Sequence, residues 1–327
     1  MSKPLHIHDE VADALHGNRG VVLLETAVLT CGLPCEVWQR DHGDCPTTID
    51  RSLPVHLATM RGMMEAIRAA GCIPAVTAVL GGGPQIGLSD DELESLAGDR
   101  SAGKASTATM AAVLAAGCSA GTTVSGTLRL SAAVAAAGLP QPRIFATGGI
   151  GGIHAGWPAR LDVSADLGEL ARQQVCVVCA GAKSIIDAHS TCEVLETMGV
   201  PVLGYRLDRM PGFQCPPSAD SPAIHRVESA SDAGAVAHAH WSLSGSGGLL
   251  LCQSPPPETA MPVADVDAAA AEAECIVEAG GPARTPALLS AMATVSCGAT
   301  LRANIDLLLA NARLAGELAA LMAAREG

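Results

Sequence analysis

The chain reads as an α/β protein built on a largely parallel sheet. Short apolar runs, Val21–Leu24, Ile144–Ala146, 175–179, Val202–Tyr205 and Leu249–Cys252, are of the kind that strands show when both faces are covered. Segments of helical character lie between them, and that alternation marks successive β-α-β units. Polar and glycine-rich stretches follow two of the runs: Thr147-Gly-Gly-Ile-Gly-Gly-Ile-His154 after one, Ala180-Gly-Ala-Lys183-Ser184 after another. In open α/β sheets ligands bind at such strand C-termini.

Residues 1–20 read as a loose leader with one amphipathic turn. Val21–Leu24 is a buried strand that delivers Glu25 and Thr26 at its end, and 31–46 is loop, marked by Gly32, Pro34, Gly43 and Pro46. Thr47 or Thr48 caps a helix to about Ala70, interrupted near its start by Pro54. Ile73–Leu80 is a strand closed by Gly81-Gly-Gly83 and Pro84, and Ser89-Asp-Asp-Glu92 has the form of a capping box. Residues 107–116 read helical, Gly121 to Val124 as a turn into a short strand, and 128–137 as helix again. After Tyr205, residues 208–221 are rich in Pro, Gly and Ser, a long loop with the composition of a lid. A helix around 232–241, the strand Leu249–Cys252 and helices over 266–279, 286–295 and 301–324 complete the chain. No fixed-period repeat and no linker divides the sequence, so residues 1–327 read as one domain.

Composition narrows the function. Hydrophobic residues make up 49% of the 327, enough for a large core, whereas aromatics at 2% leave little with which to stack single-stranded bases. A net charge of −13 without any basic block argues against nucleic acid as a partner. The N-terminus lacks the apolar segment of a secretory signal, and no apolar run approaches the roughly 18 residues of a membrane span, so the expectation is a soluble, cytoplasmic protein with no membrane partner. Twelve cysteines are scattered rather than framing a small disulfide scaffold. Cys176 and Cys179 spell C-x-x-C, but inside a strand residues three apart point to opposite faces. Cys31, Cys35, His42 and Cys45 cluster at a spacing that matches no standard zinc pattern.

Few residues are placed to do chemistry. Lys183 follows a strand amid apolar neighbours. It is either a surface lysine or an amine that burial turns into a nucleophile able to form a Schiff base with a carbonyl. Asp166, in Ser164-Ala-Asp-Leu, is either a helix N-terminal charge or a lone carboxylate for a hard cation, with Asp162 its nearest competitor. Glu25 is a general acid/base candidate, or a carboxylate bonded to nearby backbone. His154 closes the glycine-rich loop, whose backbone N–H groups are of a kind that cradles anions. Thr122 and Thr123 offer hydroxyls beside Gly121, for a ligand or for the turn itself. His6, His8, His238 and His240 read as solvated. The glycines make no G-x-G-x-x-G in register, so a dinucleotide site is not indicated.

At FATGGIGGIH, DVSADLGELA, VVCAGAKSIID and LETMGVPVLGY the sequence resembles the pseudouridine-5′-phosphate glycosidase family. The likeness extends to Leu24-Glu-Thr26, Cys31-Gly-Leu-Pro34, Gly121-Thr-Thr-Val124, Thr285-Pro286 and Thr300-Leu-Arg-Ala-Asn-Ile305, so it covers nearly the whole chain. The resemblance implies a single-domain α/β/α sandwich around a mixed, largely parallel sheet. It also implies a homotrimer that uses a divalent cation, Mn²⁺, and acts on a sugar phosphate and a nucleobase-like aglycone. The implied activity is reversible cleavage of the C–C bond between uracil and ribose 5-phosphate. By similarity Lys183 is the Schiff-base lysine, Glu25 the acid/base and Asp166 the metal ligand. Lys104, Thr122, Thr123, Thr147, His154, Ser164 and Asn304 form the substrate-binding set. A C-glycosidic bond offers no heteroatom to protonate, and an iminium at C1′ supplies the electron sink it needs.

Three departures from the family pattern stand out. Cys31 replaces a histidine, Gly81-Gly-Gly83 replaces an Asp-Gly-Lys turn, and Ser106-Thr-Ala-Thr109 replaces a run with two arginines and an aspartate. Lost guanidiniums bear on phosphate recognition. Two alternatives therefore accompany the leading reading. One is a C-glycosynthase joining ribose 5-phosphate to another carbon nucleophile; the other is a non-catalytic sugar-phosphate-binding protein.

Overall fold

Val21–Leu24, Cys176–Cys179 and Leu249–Cys252 are buried at every residue, which a strand achieves only with layers on both faces. The structure, a computed structural model, describes residues 3–39, 49–154, 161–278 and 284–326. In chain order the strands are β1 (His6–Ile7), β2 (Val21–Leu24), β3 (Ile73–Leu80), β4 (Gly83–Ile86), β5 (Gly103–Ala105), β6 (Ala120–Thr122), β7 (Ile144–Ala146), β8 (Ile153–His154), β9 (Cys176–Cys179), β10 (Ile186–Asp187), β11 (Val202–Tyr205), β12 (His225–Val227) and β13 (Leu249–Cys252). The helices are α1 (Asp9–His16), α2 (Val55–Ala69), α3 (Asp90–Gly98), α4 (Met110–Ala115), α5 (Val124–Ala136), α6 (Ala165–Leu170), α7 (Ala188–Thr197), α8 (Ala230–Ser244), α9 (Val263–Ile276), α10 (Arg284–Val295) and α11 (Ala299–Glu326), with a π-helical turn at Val28–Gly32.

Eleven strands form one sheet in the order β1-β4-β3-β2-β7-β9-β13-β11-β12, with β6 on β3 and β5 on β6. From β3 through β2 to β12 every neighbour is parallel; β4 and β6 run antiparallel to β3. Alternation along the strands splits the core into two faces. Val22, Leu24, Cys176 and Val178 pack under α2, α8 and α11, and Leu23, Val177 and Cys179 under α1, α5 and α6. The result is the expected α/β/α sandwich, and the two cysteines of the C-x-x-C do lie on opposite faces. A third, smaller apolar cluster joins α9 and α10 to Ile185 and Cys215.

The strand order reverses between β2 and β7. From β2 the chain proceeds to β3 on one side, while β7 leads through β9 toward β13 and β11 on the other. A crevice therefore opens at the C-terminal ends of β2 and β7, where Glu25 and Thr147 stand.

Several expected elements are redrawn. The N-terminal residues are not a loose leader: β1 pairs with β4, and the His8 side chain caps α1 by accepting from Glu10 N–H at 3.3 Å. Helix α2 starts immediately after Pro54, which stands at its cap, while Thr47 and Thr48 lie outside the described residues. Gly81 and Gly82, both at positive φ, turn β3 into a hairpin with β4, which the sequence reading missed. Gly121 and Thr122 end a strand, and Val124 already begins α5 rather than a strand of its own. Ser106 N–H donates to Thr109 Oγ1 at 3.0 Å in a turn that delays α4 to Met110. The capping box at Ser89 forms as expected. Segment 208–221 is a packed wall and not a lid, because Met210, Phe213 and Cys215 are buried within it. An 18-residue window within Ala299–Arg325 has a mean hydropathy of 1.4, so this stretch is long and apolar enough by length and composition to cross a membrane, against the sequence expectation. It is a core helix, alanine-rich and packed against α2, β2, β7 and β9, with 56% of that window buried.

Candidate active site

Glu25 follows β2 and is 5% exposed. The Thr147 hydroxyl, one residue past β7, donates to its Oε1. Burial raises the Glu25 carboxyl above the ordinary carboxylate range, against the opposing pull of the Lys183 ammonium and the Thr147 hydrogen bond. Thr147 is itself fully enclosed, so it holds the carboxyl and does not face substrate as expected.

Lys183 is set by a backbone zipper between the loops after β7 and β9. Ala180 N–H donates to Gly148 O at 2.8 Å, Ile150 N–H to Gly181 O at 3.0 Å, and Lys183 N–H to Ile150 O at 3.1 Å. Gly181 has φ +86° and lies where a Cβ would meet Pro211 O at 2.5 Å, so only glycine fits. These bonds correct the picture of a free amide cradle, since the Ile150 and Gly151 N–H groups are already committed. Lys183 is half-buried and lines the cavities beside Glu25, rather than being enclosed by apolar neighbours. Burial lowers the amine of Lys104, on β5, below its ordinary value.

Asp166, at the start of α6, is 6% exposed and accepts from two main-chain donors. Ser125 N–H reaches Oδ1 and Gly151 N–H reaches Oδ2, each at 2.9 Å. A Cβ at Gly151 would come within 2.9 Å of Oδ2 and 2.5 Å of Ser164 Oγ, so the approach depends on that glycine. Ser164 caps α6 by accepting from Asp166 N–H at 3.2 Å. Among the described residues no three His, Cys, Asp or Glu side chains converge, which rules out a closed zinc-type cage there. A lone carboxylate with one lone pair left on each oxygen, in a cavity with room for water, fits a hard divalent ion that keeps most of its hydration shell. His42 and Cys45 lie outside the described residues, so the Cys31–Cys45 cluster is not placed.

The two threonines separate. Thr122 is fully buried in a hydroxyl network: its Oγ1 lies 2.7 Å from Thr77 Oγ1 and 3.1 Å from that of Thr127, and its N–H donates to Thr26 Oγ1 at 3.0 Å. It fastens β6 to β3 and β2 and does not line the cavity, against expectation. Thr123 caps α5 and does line it. His154 is half-buried at the same cavity, and burial lowers its imidazole. Of the histidines expected to be solvated, His8 and His240 are half-buried.

Three connected spaces result. A cavity of 360 Å³ is lined by Glu25, Lys104, Thr123, Ser164, Asp166 and Lys183, with His154 at its wall. A central pocket of 50 Å³ shares Glu25, Lys104 and Lys183 with it and adds Cys31, Phe213 and Asn304. A groove of 480 Å³ shares Cys31 and Asn304 with the pocket. Sequence reasoning missed Phe213, Asn311 and Ser125. Phe213, at φ +68°, is strained for a bulky residue, and is held by its N–H bond to Ala180 O and by its buried ring. Asn311 donates to Thr147 O at 2.7 Å and Gly148 O at 3.3 Å, pinning the glycine loop to α11. An asparagine inside an otherwise alanine- and leucine-rich helix was the available signal for it. Ser125 acts through its backbone, which sequence does not reveal.

The family model described as "Indigoidine synthase A like protein" matches residues 46–321. The pseudouridine-5′-phosphate glycosidase of Solibacter usitatus is 40% identical over 96% of this chain and 98% of its own. The Escherichia coli protein of the same name is 38% identical over 96% and 94%. Among solved structures, the prealnumycin C-glycosynthase AlnA in complex with ribulose 5-phosphate superposes with a TM-score of 0.82 at 33% identity, covering 100% of this chain and 99% of that one. An indigoidine synthase A-like protein from Thermotoga maritima gives 0.81 at 28%, over 98% and 97%.

Proposed function

The chain belongs to the indigoidine synthase A-like family, that of the pseudouridine-5′-phosphate glycosidases, and on that premise we propose that it is an enzyme that reversibly splits pseudouridine 5′-phosphate into uracil and ribose 5-phosphate. The observation that carries the proposal is that Glu25 and Lys183 line both the inner cavity and the central pocket, at the point where the strand order reverses.

In the synthetic direction the Lys183 amine condenses with the C1′ aldehyde of ring-opened ribose 5-phosphate, releasing water and leaving an iminium. C5 of uracil supplies the electron pair of the new bond to C1′ and then loses its proton. The lysine nitrogen departs as the amine after taking up a proton, and the sugar's 4′ oxygen closes on C1′. Cleavage runs the same steps backward, with water consumed. Glu25, its carboxyl raised by burial, is the group beside Lys183 able to deliver and remove protons. Lys104, Thr123, Ser164 and His154 surround the sugar phosphate in the inner cavity, and Asn304 meets the base. Asp166 would hold a divalent cation of the Mn²⁺ class, and such an ion would supply positive charge to the site. Binding of Mn²⁺, followed by its electron paramagnetic resonance signal, should weaken at least tenfold in Asp166→Asn.

Borohydride reduction in the presence of ribose 5-phosphate tests the core of the proposal. A mass adduct on the peptide containing Lys183, absent from folded Lys183→Ala, is expected; an adduct elsewhere, or none, removes it. A second reading, a C-glycosynthase that uses another carbon nucleophile, draws support from the likeness to AlnA, and product analysis with ribose 5-phosphate separates the two. By resemblance we also propose a homotrimer acting in the cytoplasm, to be tested by light scattering and fractionation.

A further inference from the structure

Strands β2 and β7 have a cavity at each end, and the two cavities differ in charge. At the C-terminal ends the inner cavity sets Lys104 and Lys183 among three carboxylates, Glu25, Asp162 and Asp166. At the opposite ends, beside Val21 and Ile144, lies a second cavity, also of 360 Å³, lined by Arg19 and Arg143 and by no carboxylate of a described residue. In a chain with 33 acidic and 20 basic residues, that lining runs against the composition.

The backbone at both arginines is fixed. Asn18, at φ +50°, turns the chain out of α1, and Arg19 N–H donates to Ala14 O at 2.8 Å. Glycine must follow, because a Cβ at Gly20 would meet Cys72 Sγ at 2.5 Å and the Ala319 backbone at 3.0 Å. Arg143 O accepts from Cys176 N–H at 2.8 Å, and its guanidinium carbon lies 5.2 Å from the centre of the Trp241 ring. That ring is buried and held by its Nε1–H bond to Gly247 O at 3.1 Å.

Neither guanidinium forms a salt bridge with a described carboxylate. Glu10, whose carboxyl feels the Arg19 charge, is gripped by Arg68 through two bonds of 2.6 and 2.7 Å. The amide donors at the cavity are engaged, Asn18 Nδ2 with Ala323 O at 3.3 Å and Gln141 Nε2 with Ser131 Oγ at 3.1 Å. An arginine oriented by a ring, with its own donors open, matches an oxyanion. Two guanidiniums balance the charge of nearly −2 that a phosphate monoester carries at about pH 7, whereas a carboxylate would leave one of them unpaired. Leu15, Pro140, Pro142, Ala319 and Met322 add apolar walls, and the volume is of the size that takes a whole small molecule.

We infer that this cavity is a second ligand site, which binds a phosphate monoester with a compact apolar body at the end of the sheet opposite the active site. Its existence does not depend on the proposed reaction.

The probe is phenyl phosphate, which has the charged group and an apolar ring but no sugar. The tryptophans of the chain are Trp38, Trp157 and Trp241, so Trp38→Phe/Trp157→Phe leaves Trp241, beneath Arg143, as the reporter. Its emission should change saturably with phenyl phosphate, more weakly with inorganic phosphate, and not with phenol. Arg19→Met, at an exposed position, should weaken binding at least about tenfold, the scale of losing one charge-assisted contact. Arg143→Met, followed by calorimetry because it alters the reporter, should do the same. Lys104→Met, in the inner cavity, should leave the affinity within about twofold. No saturable change, tighter binding of inorganic phosphate than of its phenyl ester, or an unchanged affinity in folded Arg19→Met overturns the inference. So does loss of binding in folded Lys104→Met, which would place the anion in the inner cavity.

Discussion

The two walls of the crevice are made differently. The inner wall consists of strand ends and helix caps whose polar groups are tied together by main-chain bonds: Glu25 by Thr147, Asp166 by Ser125 and Gly151, Lys183 by Ile150. The outer wall consists of helix surface, α10 and the start of α11, whose hydroxyls bond mainly within the same helices: Thr294 Oγ1 donates to Ser290 O at 3.2 Å, and Thr300 Oγ1 lies 3.1 Å from Ser296 Oγ. The inner wall cannot shift without breaking backbone hydrogen bonds. The exposed side chains of the outer wall, Ser290 and Thr294, can change without breaking any such main-chain tie.

The sharpest way to break this contrast is at its centre. Lys183→Ala should lower kcat/KM on the order of 10⁴ or more, the scale of losing a covalent nucleophile. A tenfold loss would show that the bond-making group lies elsewhere. Glu25→Gln comes next, with a fall of about 10²–10⁴, the range for a positioned proton donor. Its pH behaviour has a fixed sign. Because the folded-state carboxyl is raised by burial, the buried acid is most favourable below the unfolded pKa, and that advantage is lost as pH rises through the folded value. The melting temperature of Glu25→Gln relative to the parent should therefore rise from pH 4 to pH 8. A flat difference would show that Glu25 is not held protonated.

The same contrast explains what could be read from sequence. The inner wall was legible because strand termini in a parallel sheet are easily found from apolar runs, and chemistry collects there: Glu25, Asp166 and Lys183 meet as expected. The misassigned residues failed for a common reason. Thr122 and Thr147 sit one or two positions from the cavity, and period-2 alternation with long-range hydroxyl pairing turned them inward. The outer wall was illegible, since α10 and the start of α11 read only as helical patterns whose packing partners lie far off in sequence. Phe213 was hidden in a segment whose Pro, Gly and Ser content suggested mobility, although its buried ring fixes it.

Smaller changes sharpen the contrast. Thr147→Val removes the hydroxyl that stabilises the ionised Glu25, so the upper limb of the pH–rate profile should move to higher pH, with a loss of about 1–3 kcal/mol in stability from the unpaired buried oxygen. A limb that moves down would reverse the assigned role.

The finest test sets one polar truncation on each wall. Asn311→Ala strips the Thr147 and Gly148 carbonyls of their side-chain donor in a fully buried position and should cost about 1–3 kcal/mol, read as a lower denaturation midpoint. Ser290→Ala, at an exposed position lining the groove, should stay within about 0.5 kcal/mol of the parent. Equal stability losses from the two substitutions would mean that the outer wall is braced as firmly as the inner one.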